Sequence, residues 1–290
     1  MPHLISFQAA TRYTAAPTQT TVSAVKSLHE NIRSVLGNAY ETFLQGSYKN
    51  DTSIPDLNDV DIVAVRRSTY STHFTGRSGS NPIEWETILS EVQTLLEASQ
   101  HYRGKTEKRD KCVTITTGFS ADVVPAIEIM DALTDPIAIY SRSARRERKN
   151  SPRLHYQHGV MKQERTDDLY KPTVRMFKRW ASQVIVDDEI APSFYIECLI
   201  HYFTDGSFIA DPVERFHSIA STIVGLDYNR PGGIMTVAND KNILTEEDWS
   251  SPNFIAFQGH LRGTVQTVER AMQATSQREA DILWRQAFNE

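Results

Sequence analysis

The sequence predicts an α+β protein in which a mixed-sheet lobe with helices precedes a mostly helical lobe. Three observations lead there. Short β-branched runs (DIVAV, CVTITT, ADVVPAIEI) crowd the first half and alternate with helical stretches. After Ser141 the apolar spacing turns helical almost throughout. At 290 residues the chain accommodates one large domain or two modest ones. The change of character divides it into 1–145 and 146–290, and a cleft between two lobes is the default place for a ligand.

The elements follow in order. Residues 18–36 place Val22, Val25, Leu28, Ile32 and Val35 at steps of three and four, an amphipathic helix with Thr or Ser at its N-cap and a stop at Gly37-Asn38. ETFLQ is a short extended run into Gly46-Ser47, and DIVAV (61–65) is apolar enough for a strand covered on both faces. RRSTYSTHFTGRSGSNP (66–82) reads as a loop, and 83–99 as a helix through Ile83, Ile88, Val92 and Leu95-Leu96. CVTITT (112–117) alternates as a strand and, after a three-residue connection, pairs with ADVVPAIEI as a hairpin. SRSARRERKNSPR is basic and rich in breakers, a boundary. Beyond it lie DDLYKPTVRMFKRWASQVIV, PSFYIECLIHYF, VERFHSIASTIVGL and a long helical run over 253–288, with a loop-like stretch before the last. No internal repeat is visible.

Composition excludes several classes. Hydrophobic content of 40% and charged content of 23% are ordinary for a globular protein. A net charge of −5 argues against a surface built to bind nucleic acid, and nucleic-acid binding is not supported beyond a local basic groove. Cys112 and Cys198 lack any paired spacing and read as buried thiols of a reducing cytosol. No signal segment or membrane span is visible, so the expectation is a cytoplasmic protein.

The chemistry gathers around carboxylates. In a strand, Asp59 and Asp61 project to one face, and two such carboxylates repel each other unless a cation lies between them. Oxygen-only ligands suit magnesium, which binds one or two carboxylates plus substrate phosphates. Gly46-Ser47 precedes the pair, and a Gly-Ser turn entering a helix offers N–H groups and a hydroxyl to phosphate oxygens. Asp122 opens an apolar strand and must face solvent or a metal. Three carboxylates on two neighbouring strands fit a two-metal site. Lys171, Arg175 and Lys178 fall at i, i+4 and i+7, a stripe that a solvated helix face also explains. The run from Arg142 to Lys149 reads as a solvated linker. His155 and His158 lack the HExxH pattern and read as surface or partly buried residues.

GSY…DVDIVAV followed by ADVVPAIE resembles the DNA polymerase β-type nucleotidyltransferases, and within them the bacterial cGAS/DncV-like nucleotidyltransferases (CD-NTases). The likeness extends to APTQTTVSAV, to LQGSYKNDTSI with Thr52, to VRMFKRW, to APSFYIE and to FIADPVERF, covering roughly residues 15–220. It implies a bilobed polymerase β-type fold, 1–145 as catalytic core and 146–290 as an oligoadenylate-synthase-like lobe, with the active site in the cleft. It implies Asp59, Asp61 and Asp122 as ligands of two Mg²⁺ ions (Mn²⁺ as a substitute), with Asp122 accepting the 3′-hydroxyl proton. Gly46 and Ser47 would hold the β- and γ-phosphates, Lys178 would reach them from the second lobe, Ser193 would lie by the base and Phe194 would stack on it. The family often has Tyr at the last position, so that hydroxyl is absent here.

The expected activity is condensation of nucleoside triphosphates into a cyclic di- or oligonucleotide messenger for bacterial antiphage (CBASS) signalling. The expected partners are the triphosphates, a protein regulator or activator, and a separate effector that recognises the product. The alternatives are a transferase that makes a linear product or modifies RNA or protein, and a degenerate nucleotide sensor.

Overall fold

The computed structural model describes residues 3–55, 59–72, 74, 84–129 and 136–290. The first half runs α1 (Phe7–Thr11), α2 (Gln19–Leu36), β1 (Tyr40–Gln45), α3 (Gly46–Asn50), β2 (Asp59–Ser71), α4 (Trp85–Ala98), β3 (Thr106–Lys108), β4 (Val113–Thr116) and β5 (Ser120–Ile129). There follow β6 (Ile137–Ser141), β7 (Arg146–Asn150), α5 (Pro152–Arg165), α6 (Tyr170–Val184), α7 (Ser193–Tyr202), α8 (Pro212–Val224), α9 (Ser251–Gln273) and α10 (Gln277–Gln286). The chain forms two compact units. A sheet unit holds Pro17–Asp51 and Asp56–Tyr156; a helical unit holds Met1–Ala16, Thr52–Pro55 and Gln157–Glu290.

In the sheet unit the seven strands run β1-β2-β5-β4-β3, with β6 on β5 and β7 on β6. β2 and β5 are parallel and every other pair is antiparallel, a mixed sheet. The expected β4–β5 hairpin is present. Strand alternation sorts the side chains by face. Val60, Ile62, Ala64, Val113, Ile115, Ala121 and Val123 pack with Val25, Ile32 and Leu36 of α2 and with Leu89, Val92 and Leu96 of α4. Val63, Val65, Ala126 and Ile137 cluster separately. Each fully buried aliphatic side chain here contributes about 1.5–3 kcal/mol. DIVAV is thus buried on both faces, as its composition predicts. Pro125 lies within β5 between the residues that pair with β4 and those that pair with β6, the gap where a missing N–H costs least.

α2 begins where expected, with Thr18 Oγ1 accepting the Thr21 N–H at 3.2 Å, and ends at Gly37, whose φ is 64°. The loop expected over 66–82 is corrected in its first part. Residues 66–71 continue β2 through a register shift between Val65 and Tyr70, where Ser68 adopts φ 56°. The bulge breaks the alternation that would have revealed the strand. Residues 73 and 75–83, including Ile83, lie outside the described residues.

The basic run is also corrected. It forms the β6–β7 hairpin, whose turn is held by Asp110: its carboxylate accepts from the Ser141 hydroxyl at 2.9 Å and the Ser143 N–H at 2.6 Å. Arg142 pairs with Glu86 at 2.8 Å. Charges suit such an edge because they discourage pairing with another chain. β7 consequently belongs to the sheet unit, and the changeover falls at Tyr156–Gln157.

The helical unit packs one continuous core around Trp180, Trp249, Trp284, Phe177, Phe216, Phe254 and Phe257. The three indole N–H groups donate to Thr264 Oγ1, the Ile190 carbonyl and the Ala9 carbonyl at 2.7, 3.0 and 3.1 Å, which offsets the cost of burying them. The single run expected over 253–288 is two helices. Ser276 caps the second by accepting the Glu279 N–H at 3.3 Å, an S-x-x-E start signal inside the apolar pattern. Cys112 and Cys198 are both buried thiols.

Candidate active site

Within the sheet unit, the residues of interest form a row across neighbouring strands. Asp61 of β2 lies in register with Asp122 of β5 on one side and with Gln45 of β1 on the other. Asp59 is two residues back along β2, on the same face and exposed, whereas Asp61 and Asp122 are half-buried. That face is opposite the one that α2 and α4 cover, because the helices take the even-numbered residues of β2.

Gly46 follows Gln45 directly and enters α3. Two facts require glycine there. Its φ is 67°, and a Cβ at this position would collide with the Asp61 carboxylate. The Gly-Ser turn therefore lies against Asp61, and Ser47 is half-buried in the first turn of α3. Asp51 ends the turn in a left-handed conformation, its N–H donating to the Ser47 carbonyl. Asp56, Leu57 and Asn58 lie outside the described residues.

The donor set is all oxygen. Among the described residues, no three or more His, Cys, Asp or Glu side chains are arranged to hold a metal ion by themselves. Carboxylate oxygens are the donors that Mg²⁺ takes, one or two at a time, with substrate phosphates and water; without Cys or His they are not the ligands of a structural zinc site.

Thr114, which sequence analysis passed over, touches the row. It sits opposite Asp122 in the β4–β5 ladder, and its Oγ1 donates to Asp122 Oδ1 at 2.6 Å. Its one signal was a polar slot in the alternation of CVTITT. Cys112 Sγ lies 3.7 Å from Thr114 Oγ1. Burial, and then the negative charge of Asp122, push this thiol up to about 12.

In the helical unit, Lys178 does not stand on a solvated stripe. It is 4% exposed, and Arg175 is also buried, its Nε donating to the Thr14 carbonyl at 2.7 Å. The stripe is corrected because α6 is covered on nearly all sides. Lys178 Nζ donates to Glu197 Oε2 at 2.9 Å and to Thr52 Oγ1 at 3.1 Å, and Thr52 Oγ1 donates to the same Glu197 oxygen at 2.7 Å. This closed triangle uses two of the ammonium's three N–H donors. Glu197 was missed in the sequence, since 145 positions separate it from Thr52. Ser193 and Phe194 open α7; both are exposed, Phe194 by 47%. A cavity of about 520 Å³ lies at the opposite end of α7, lined by His158, Lys162, Arg165 and Tyr202 among others; no predicted site residue borders it. His155 is buried, and His158 is half-buried with Nδ1 2.7 Å from the Val237 carbonyl.

Comparison with known proteins decides the family. The Second Messenger Oligonucleotide or Dinucleotide Synthetase domain profile matches residues 1–153, and that of the cGAS/DncV-like nucleotidyltransferase C-terminal helical domain matches residues 157–266. The chain belongs to the cGAS/DncV-like nucleotidyltransferases. It is 30% identical over 237 residues to the cyclic UMP-AMP synthase of Rhodothermus marinus, a match covering 73% of this chain and 82% of that protein. It is 27% identical over 212 residues to the cyclic dipurine nucleotide synthase of Elizabethkingia meningoseptica, covering 65% and 72%. The solved structure of the R. marinus CdnE c-UMP-AMP synthase with Apcpp and Upnpp superposes with a TM-score of 0.74 at 26% identity, over 89% of this chain and 97% of that one. The fold is thus the bilobed polymerase β-type fold, and the chain is a nucleotidyltransferase enzyme. Among the described residues no helix is long and apolar enough to cross a membrane.

Proposed function

We propose that this enzyme condenses nucleoside triphosphates into a cyclic di- or oligonucleotide, releasing pyrophosphate at each step. The observation that carries the proposal is the in-register placement of Asp61 and Asp122 with the Gly46 turn against Asp61. The cyclic products named for the relatives support the product class.

In each transfer, a ribose hydroxyl oxygen bonds to the α-phosphorus of a second triphosphate while the bond from that phosphorus to the bridging oxygen breaks. The hydroxyl proton passes to Asp122, and the electron pair leaves with pyrophosphate. Two Mg²⁺ ions held by Asp59, Asp61 and Asp122 would supply Lewis-acid activation of the hydroxyl and neutralise the leaving group; Mn²⁺ can replace them. Gly46 offers its N–H and Ser47 its N–H and hydroxyl to the β- and γ-phosphates. Phe194 presents a ring face for base stacking, with Ser193 beside it. Lys178 has one N–H donor beyond its triangle with Glu197 and Thr52 to turn toward phosphate. Most of the rate enhancement comes from positioning and charge neutralisation.

The biological setting we propose is antiphage signalling in the bacterial cytoplasm, in which the product activates a separate effector and a protein regulator governs the synthase. The test is direct. The purified protein is incubated with all four ribonucleoside triphosphates and Mg²⁺ or Mn²⁺, treated with phosphatase, and its products are weighed by mass spectrometry. A phosphatase-resistant product that disappears in Asp59→Ala/Asp61→Ala supports the cyclase. Linear products with removable phosphates, or none in either metal, count against it.

A further inference from the structure

Asp122, the third carboxylate of the row, has a hydroxyl neighbour placed by the sheet itself. Thr114 and Asp122 are directly opposed on antiparallel strands, so their side chains share a face and stand within reach. The bond between them, Thr114 Oγ1 to Asp122 Oδ1, measures 2.6 Å, the length of an O–H···O⁻ bond that is charge-assisted. A β-branched side chain on a strand is stiff at χ1, so the hydroxyl is held rather than searching.

The direction of the chain can be followed from there. A threonine hydroxyl has one proton and two lone pairs. Its proton is committed to Asp122 Oδ1. The sulfur of Cys112, 3.7 Å from the same oxygen, therefore stands as donor through its S–H. The S–H then fills an acceptor site of Thr114. Neither residue needs to touch substrate for this to matter.

We propose that Cys112 and Thr114 form a positioning relay that fixes the rotation of Asp122, engaging Oδ1 and presenting Oδ2 to the ion and the attacking hydroxyl. The proposal rests on Asp122 as a metal ligand and base, and it adds two residues that do not contact the reacting atoms. Partners behind a metal ligand set its orientation, and their loss costs about 10–100-fold in metal affinity or activity.

The experiment compares Thr114→Val, which keeps the shape and loses the hydroxyl, with Thr114→Ser, which restores it. Asp122→Asn and Cys112→Ala serve as references. Each variant is measured for kcat and KM with ATP, for Mn²⁺ bound in the presence of a non-hydrolysable ATP analogue by electron paramagnetic resonance, and for Tm. For Thr114→Val the expected result is a kcat lowered about 10–100-fold with Mn²⁺ binding weakened in parallel, while KM for ATP moves little. Thr114→Ser should recover most of both, and Cys112→Ala should lie between wild type and Thr114→Val. Wild-type kcat and Mn²⁺ binding in Thr114→Val overturn the relay. So does a fall in Tm that Thr114→Ser shares, without a difference between the two in kcat or Mn²⁺ binding. If Asp122→Asn itself keeps full activity and Mn²⁺ binding, the assignment of Asp122 has failed, whatever Thr114 does. Should Thr114→Val not fold, the decision passes to Cys112→Ala. A loss of Mn²⁺ affinity there at unchanged Tm supports the relay, and wild-type values overturn it.

Discussion

The carboxylate row of the sheet unit and the Lys178–Glu197–Thr52 triangle of the helical unit handle charge in opposite ways. In the triangle, an ammonium and a carboxylate are almost wholly removed from water, and each meets the other and a hydroxyl. In the row, carboxylates of one sign lie on adjacent strands, half-buried or exposed. Buried charges survive in a folded protein when their partners are internal. Like charges aligned by a sheet register repel one another, so substitution in the row and in the triangle should behave differently.

The largest effect on stability should come from the triangle. Glu197→Ala leaves a buried ammonium without its counter-ion, and removal of one partner from such a pair costs about 3–5 kcal/mol. Urea unfolding should show a loss of that size, and Lys178→Met/Glu197→Met should lose distinctly less than the two single changes summed. An unchanged midpoint in Glu197→Ala would mean the triangle carries no weight.

The row should respond in the reverse sense. Asp61→Asn is expected to lower kcat at least about a hundredfold, in line with losing one preorganised electrostatic group, while Tm moves little because Asn keeps the shape of the side chain. A drop in Tm of several degrees would place Asp61 among the structural charges instead.

Gly46→Ala probes the seam between turn and row. It forces a left-handed φ on a residue with a Cβ and drives that Cβ into Asp61. The strain alone is worth about 1–2 kcal/mol, and the displaced carboxylate should cost turnover as well. Kinetics and thermal melting together would show both.

A smaller test concerns Asp211, the N-cap of α8, whose Oδ1 accepts the Val213 and Glu214 N–H groups at 2.9 Å and whose carboxylate faces His3. Burial works to raise its pKa, but the Glu214 N–H, His3 and the Val213 N–H prevail and hold it below the ordinary carboxylate value. Its contribution is therefore present above pH ~4 and lost as the pH falls through the depressed folded value. Asp211→Ala should cost about 1 kcal/mol at neutral pH, and that difference from wild type should shrink on acidification below pH 4. A difference that grows there would reverse the sign of the argument.

Local signals carried much of this molecule. The Thr18 cap, the 3.6-residue spacing of α2, the apolar run of β2 and the alternation of β4 all report on neighbours along the chain. They sufficed to place Asp59, Asp61 and Asp122 on strands. The parallel register that aligns Asp61 with Asp122 was not legible, because pairing between distant strands leaves no periodicity in either. Ser68 at positive φ hid the far end of β2, and Ser276 hid a helix start inside an apolar pattern. The triangle joins residues 126 and 145 positions apart, and Lys178 looked like a surface cation until its surroundings were known. Thr114 was visible only as one polar slot in a strand.

The measurement that bears most directly on the row is anomalous diffraction from crystals grown with Mn²⁺ and a non-hydrolysable ATP analogue. The account predicts manganese peaks within bonding distance of Asp61 and Asp122, with the β- and γ-phosphates against the Gly46 and Ser47 N–H groups. Manganese and triphosphate bound elsewhere, with the three aspartates left to water, would contradict it.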